Sequence, residues 1–167
     1  MFGFFKGKNT TEQQGQALFE SALTKAQKHG KQFFVTLEPT DDIDLRLQRF
    51  ETVALFMTAL LWRMKSEEKL APTAQFAYDK MFASFDRSLR EAGVGDIGVS
   101  HRIKKFAQAF HGRLETYGKA YDSANKAELA KAFEHNIKLP LDEVEPLADA
   151  AYTWAMDLKE TPADKLI

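Results

Sequence analysis

The groups in this chain most able to do chemistry are four histidines, one glycine-rich hexapeptide and several clustered carboxylates. His29, His101, His111 and His135 form neither an H-E-x-x-H pair nor the Glu-x-x-His spacing that puts two ligands on one helix face. Spacing therefore supports no metal site and no haem site. His111 and Glu115 lie one turn apart, which suits a contact at a helix boundary. Gly93-Val94-Gly95-Asp96-Ile97-Gly98 fits G-x-G-x-x-G letter for letter. In a dinucleotide fold such glycines follow a strand and open a helix. Here the flanking periodicity is helical on both sides, so the hexapeptide reads as a helix–loop–helix corner in which glycine permits tight passage. No G-x-S-x-G nucleophile elbow occurs. The carboxylates around Asp41 and Glu143 fall at expected helix starts, where capping and the helix dipole account for them. The chain has no cysteine, which excludes disulfides, thiolate-bound metals and thiol nucleophiles. The expectation is a protein with no catalytic constellation, no cofactor and no metal.

The elements that must position the remaining side chains are helices. Apolar residues recur at helical spacing almost throughout, and no alternating strand pattern appears. Thr11-Glu12-Gln13-Gln14 has the form of a capping box ahead of Leu18, Ala22 and Ala26, with Gly30 as a stop. Phe33 to Leu37 reads as a helical turn or an extended connector. A long helix follows from the aspartates near position 42 to about Lys65, and its uncharged stretch from Thr52 to Trp62 marks it as the central one. That stretch spans about 16 Å, half a bilayer core, so it is a buried helix and not a membrane span. Pro72 suits the first turn of the next helix, and Gly93 ends it. Ser100 is expected to open the following helix, whose stripe runs from Ile103 through Phe106, Phe110, Leu114 and Tyr117 to Tyr121. Asn125 and Glu128 form a second capping box, Pro140 breaks that helix, and a last one carries Pro146 in its first turn. The fold class is all-α, a single-domain irregular bundle of five to seven helices. Residues 1–10 are expected to form a flexible tail, 11–158 the helical domain and 159–167 a second tail.

The chain has 167 residues and a formal net charge of −1, which argues against a general nucleic-acid binder. The near-neutral total hides basic segments at 1–31 and 92–121 and acidic ones at 32–61 and 122–167. A mixed solvated surface explains this, and so does a basic face on the central helices that meets an acidic or phosphate-bearing partner. The N-terminal apolar run from Met1 to Phe5 is too short for a signal-peptide core. Phe2, Phe4 and Phe5 with Lys6 and Lys8 form either a packed or frayed tail or a membrane-surface contact. Aromatic residues crowd the middle of the chain, interspersed with Arg90, Arg102, Lys104, Lys105 and Arg113. Most of them belong to a core; others can line a groove for an apolar helix.

A set of short motifs carries a resemblance. Leu89-Arg90-Glu91-Ala92-Gly93-Val94-Gly95-Asp96, then Phe110-His111-Gly112-Arg113 and the stretch from Tyr117 to Tyr121, closely resemble the ubiquinol–cytochrome c chaperone family. Arg49-Phe50-Glu51, Trp62-Arg63-Met64, and Phe82 with Asp86 fall where that pattern places them. The likeness runs from about Phe33 to Phe133. It departs at Phe56, where the family pattern has a histidine, and in Asp42-Ile43-Asp44-Leu45-Arg46, which follows it loosely. The resemblance implies a non-enzymatic assembly factor of the cytochrome bc complex that binds newly made cytochrome b. It also implies a bacterial-type member, cytoplasmic and in peripheral contact with the inner membrane, with a small partner protein or the ribosome as further partners. A helical lipid- or small-ligand-binding protein at the membrane surface is the alternative. Arg90, Asp96, Arg113, Tyr117, Tyr121, Phe50 and Trp62 are the candidate client-binding residues. Arg90 or Arg113 paired with Asp96 would equally pin the corner, and Tyr117 and Tyr121 equally suit core packing.

Overall fold

The structure is a computed structural model that describes the backbone from Gly3 and the side chains from Thr10 to Ile167. Six helices are present: α1 (Gly3–His29), α2 (Ile43–Met64), α3 (Ala71–Glu91), α4 (Asp96–Asp122), α5 (Lys126–Ile137) and α6 (Leu141–Glu160). Short 3-10 turns at Lys31–Phe33, Glu68–Leu70 and Ala163–Lys165 complete them, and no strand occurs among the described residues. The N-terminal Phe and Lys side chains named above lie outside the described residues.

Helix α2 is the axis of the bundle. Every residue from Phe50 to Met64 is buried, which follows from its uncharged middle: a helix apolar all round needs neighbours on every side. Phe50 stacks on Phe106, Glu51 meets Arg113, and Trp62 packs on Tyr121, so α4 runs alongside α2 in the same direction. Phe50 also meets Phe85 near the end of α3, which runs the opposite way. Helices α5 and α6 form a hairpin over the rest of α2, with Trp154 of α6 against Phe56. Helix α1 lies across α3. The crossing is tight because Gly15 has no side chain: a Cβ there would stand 2.4 Å from the Cβ of Phe76.

Capping chemistry sets several boundaries. The Asp42 carboxylate accepts from the Leu45 amide at 3.0 Å and starts α2. The Asn125 side chain accepts from the Glu128 amide and starts α5. Gly93, at φ +84°, ends α3 in the left-handed conformation open to glycine. Three starts differ from expectation. Thr11 lies inside α1, which begins at Gly3. Helix α4 begins at Asp96, a turn before Ser100, with an acid in its first turn where the dipole favours one. Helix α6 begins at Leu141, directly after Pro140, so Pro146 sits in the helix interior rather than the first turn. The segment after Phe33 is a connector, not a helix.

Candidate functional site

The start of α2 sends three consecutive side chains to three tasks. Arg49 donates to the backbone carbonyls of Phe33 at 2.8 Å, Thr36 at 2.6 Å and Glu38 at 3.0 Å. One guanidinium thus satisfies a connector that has little hydrogen bonding of its own. Phe50 stacks on Phe106 with ring centres 4.5 Å apart, and Phe85 meets both edge-on. Glu51 is fully buried, and both its carboxylate oxygens accept from Arg113, at 2.7 and 3.1 Å.

These elements line a largely apolar, partly open cleft of about 230 Å³ at the α2 start, with Leu23, Phe34, Phe50, Phe85, Leu89 and Phe106 as its apolar walls and Gln27, Ser84, Ser88 and Glu91 among its polar ones. Arg46 and Arg49 stand on its rim. The connector beside it exposes large apolar side chains: Val35 is 87% exposed, Leu37 71% and Ile43 72%. Glu38, Asp41, Asp42 and Asp44 surround them and are themselves exposed. Exposed large apolar side chains near an apolar cleft, Leu37 among its lining, suit an interaction surface. At this volume the cleft falls below the range usual for drug-sized ligands and suits an inserted apolar side chain or one narrow acyl chain.

The corner between α3 and α4 holds the Arg90 cluster. Arg90 donates to Asp86 at 2.6 Å and also pairs with Asp96. Its hydrogen bonds to Asp86 and then to Asp96 hold its pKa above the ordinary arginine value. All three groups are solvent-exposed, so the cluster fixes the corner without adding much stability. Gly95 and Gly98 belong to this helical corner, with no sheet around it among the described residues.

Arg113 does not reach Asp96; its partner is Glu51. Burial works against the Arg113 charge, yet the hydrogen bonds and charge of Glu51 outweigh it and raise its pKa. Tyr117 is fully buried beside this pair, and its hydroxyl accepts from the Asn136 amide at 2.8 Å. Burial pushes the hydroxyls of both Tyr117 and Tyr121 well above the usual tyrosine range, with Glu51 adding to the shift at Tyr117. Phe50, Trp62, Tyr117 and Tyr121 are thus all buried, and of them Phe50 lines the cavity. His111 contacts the Tyr78 hydroxyl at 3.2 Å rather than Glu115, which pairs with Lys119.

The far end of α2 is tied to α4 and α6, with shallow open clefts beside Leu61, Met64 and Tyr78 and beside Trp62 and Lys65. Trp62 donates its indole N–H to Asp122 at 2.8 Å. Arg63 donates to the backbone carbonyls of Leu158 at 2.8 Å and Thr161 at 2.9 Å, and so anchors the end of α6. The roles of Arg49 and Arg63 escape sequence reasoning; their one signal is that each flanks the buried stretch of α2. Among the described residues no cluster of three or more His, Cys, Asp or Glu could hold a metal, and no helix is long and apolar enough to cross a membrane.

The pattern of the ubiquinol-cytochrome C chaperone family matches residues 44–167, and the chain belongs to that family. The crystal structure of the Cbp3 homolog from Brucella abortus is similar, with a TM-score of 0.76 and 30% sequence identity, over 99% of this chain and 91% of that one. Among curated proteins none matches.

Proposed function

We propose that this protein is a non-enzymatic assembly chaperone that binds newly made cytochrome b and supports assembly of the ubiquinol–cytochrome c reductase complex. The observation that carries the reading, beside the family, is the uncovered apolar lip of Val35, Leu37 and Ile43 next to the Phe50–Phe85–Phe106 cavity. A polytopic membrane subunit offers apolar helices whose cytoplasmic flanks are rich in Lys and Arg. An apolar cleft with an acidic lip complements both features. The protein would work in the cytoplasm, in peripheral contact with the inner membrane. A small partner protein or the ribosome belongs to the same proposal and is read by co-purification from native membranes. Deletion of the gene is expected to lower assembled bc complex while its transcripts stay unchanged; normal assembly in the deletion strain would sink the reading.

The largely apolar, partly open cleft also favours a second reading, a protein that holds an acyl chain or a small apolar ligand. Native mass spectrometry of the purified protein separates the two: a bound ligand that survives purification supports the second reading, and a bare chain argues against it.

A further inference from the structure

The outward face of α4 is largely free of contacts with the rest of the fold, His111 at its far end, which meets Tyr78, excepted. Ile97 at its start is 90% exposed. His101, Lys104, Lys105, Gln108, His111 and Gly112 follow, all exposed. At 100° per residue these positions fall on one side of the helix. No acid occurs from Ile97 to Leu114. The acids that bracket the segment are already engaged: Asp96 pairs with Arg90, and Glu115 with Lys119. Lys104 and Lys105 make no ion pair among the described residues. The opposite side of the same helix carries Phe106, which lines the cavity.

We propose that the outward face of α4 docks on an anionic lipid surface, with Ile97 entering the headgroup layer and Lys104 and Lys105 meeting lipid phosphates. The charge is complementary, and the protruding isoleucine favours a bilayer over a nucleic acid, which offers it no apolar medium. The contact would hold the cavity, one helix thickness away, beside the membrane from which an apolar client emerges. This last step rests on the assembly-chaperone reading; the lipid contact itself is tested apart from it.

The test is flotation of the full chain with phosphatidylcholine vesicles, with and without phosphatidylglycerol, at low and high salt. Binding is expected only to the phosphatidylglycerol vesicles and only at low salt. Each cation near such a surface strengthens partitioning about fivefold, so K104E/K105E is expected to weaken it by more than about tenfold. Ile97→Asp is expected to weaken it as well. Both variants should keep the wild-type melting temperature, because the side chains are exposed. Failure to bind anionic vesicles, or binding indifferent to both variants, overturns the proposal. So does binding to ribosomal RNA that K104E/K105E abolishes while vesicles are ignored. Crosslinking of the wild-type chain to cytochrome b in detergent is read in parallel. Wild-type crosslinks with failed wild-type flotation discard only the lipid contact; wild-type flotation without crosslinks discards the chaperone reading.

Discussion

Each end of α2 carries an arginine that donates to distant backbone carbonyls, and the two leave opposite surfaces behind. Arg63 holds the last turn of α6 against the bundle, so the core at that end is covered. Arg49 holds the connector from Phe33 to Glu38 chiefly by its backbone carbonyls, with the guanidinium also over the Phe34 ring. Phe33 and Phe34 turn inward, but Val35 and Leu37 of the connector and Ile43 at the head of α2 face solvent beside a largely apolar cleft. The same chemistry, a planar fork that satisfies carbonyls, closes one end and props the other open.

The comparison can be broken by removing its charges one at a time. The largest effect belongs to neither end but to the tie between α2 and α4. Arg113→Ala leaves Glu51 buried without its partner, and such losses cost about 3–5 kcal/mol; denaturant unfolding should show it. An unchanged midpoint would mean that Glu51 reaches solvent or another donor. Next comes Arg63→Ala, which strips two buried or half-buried carbonyls of a charged donor. A loss of about 2–3 kcal/mol is expected, with faster amide exchange confined to the end of α6. Arg49→Ala should cost about 1 kcal/mol or less globally, since its carbonyl partners can turn to water. Its signature is local: amide exchange and proteolysis rise in residues 33–42 while the bundle stays protected. If Arg49→Ala and Arg63→Ala behave alike, the two ends are not different in kind.

The smallest effect concerns pH. His29, stacked on Phe56, is held below its ordinary pKa by burial and then by Lys28, Lys25 and Lys31. The unfolded chain therefore takes up this proton first as pH falls. Stability from this group is full above the unfolded value of 6.5, declines as pH drops through it, and levels off once the folded form protonates. His29→Gln should remove that part of the decline.

Much of the frame was legible in the sequence, for local reasons. The aspartate cap at α2, the Asn125 cap at α5, the stop at Gly93 and the encircling apolar pattern of α2 all depend on residues close in sequence. Ser100 and Pro146 look like start signals in sequence, yet α4 begins at Asp96 and α6 directly after Pro140, each a turn or more earlier. What could not be read was long-range: Arg113 reaching Glu51 across 62 positions, or Arg63 reaching Leu158 across 95. Helical spacing says which face of α4 holds Arg113, not which helix it meets. The motif residues Arg49, Glu51, Arg63 and Arg113 therefore looked alike in sequence, although three of them bind the molecule together and one props open its edge.

The central claim is that the α2 start receives the client and the far end does not. A photo-crosslinking residue placed at Leu37 or Ile43, and in parallel at exposed Lys65, tests it most directly in membranes that synthesise cytochrome b. Adducts with cytochrome b from Leu37 and Ile43, and none from Lys65, are the expected result. Adducts from Lys65 alone, or none from any position in cells that assemble the complex normally, would contradict the account.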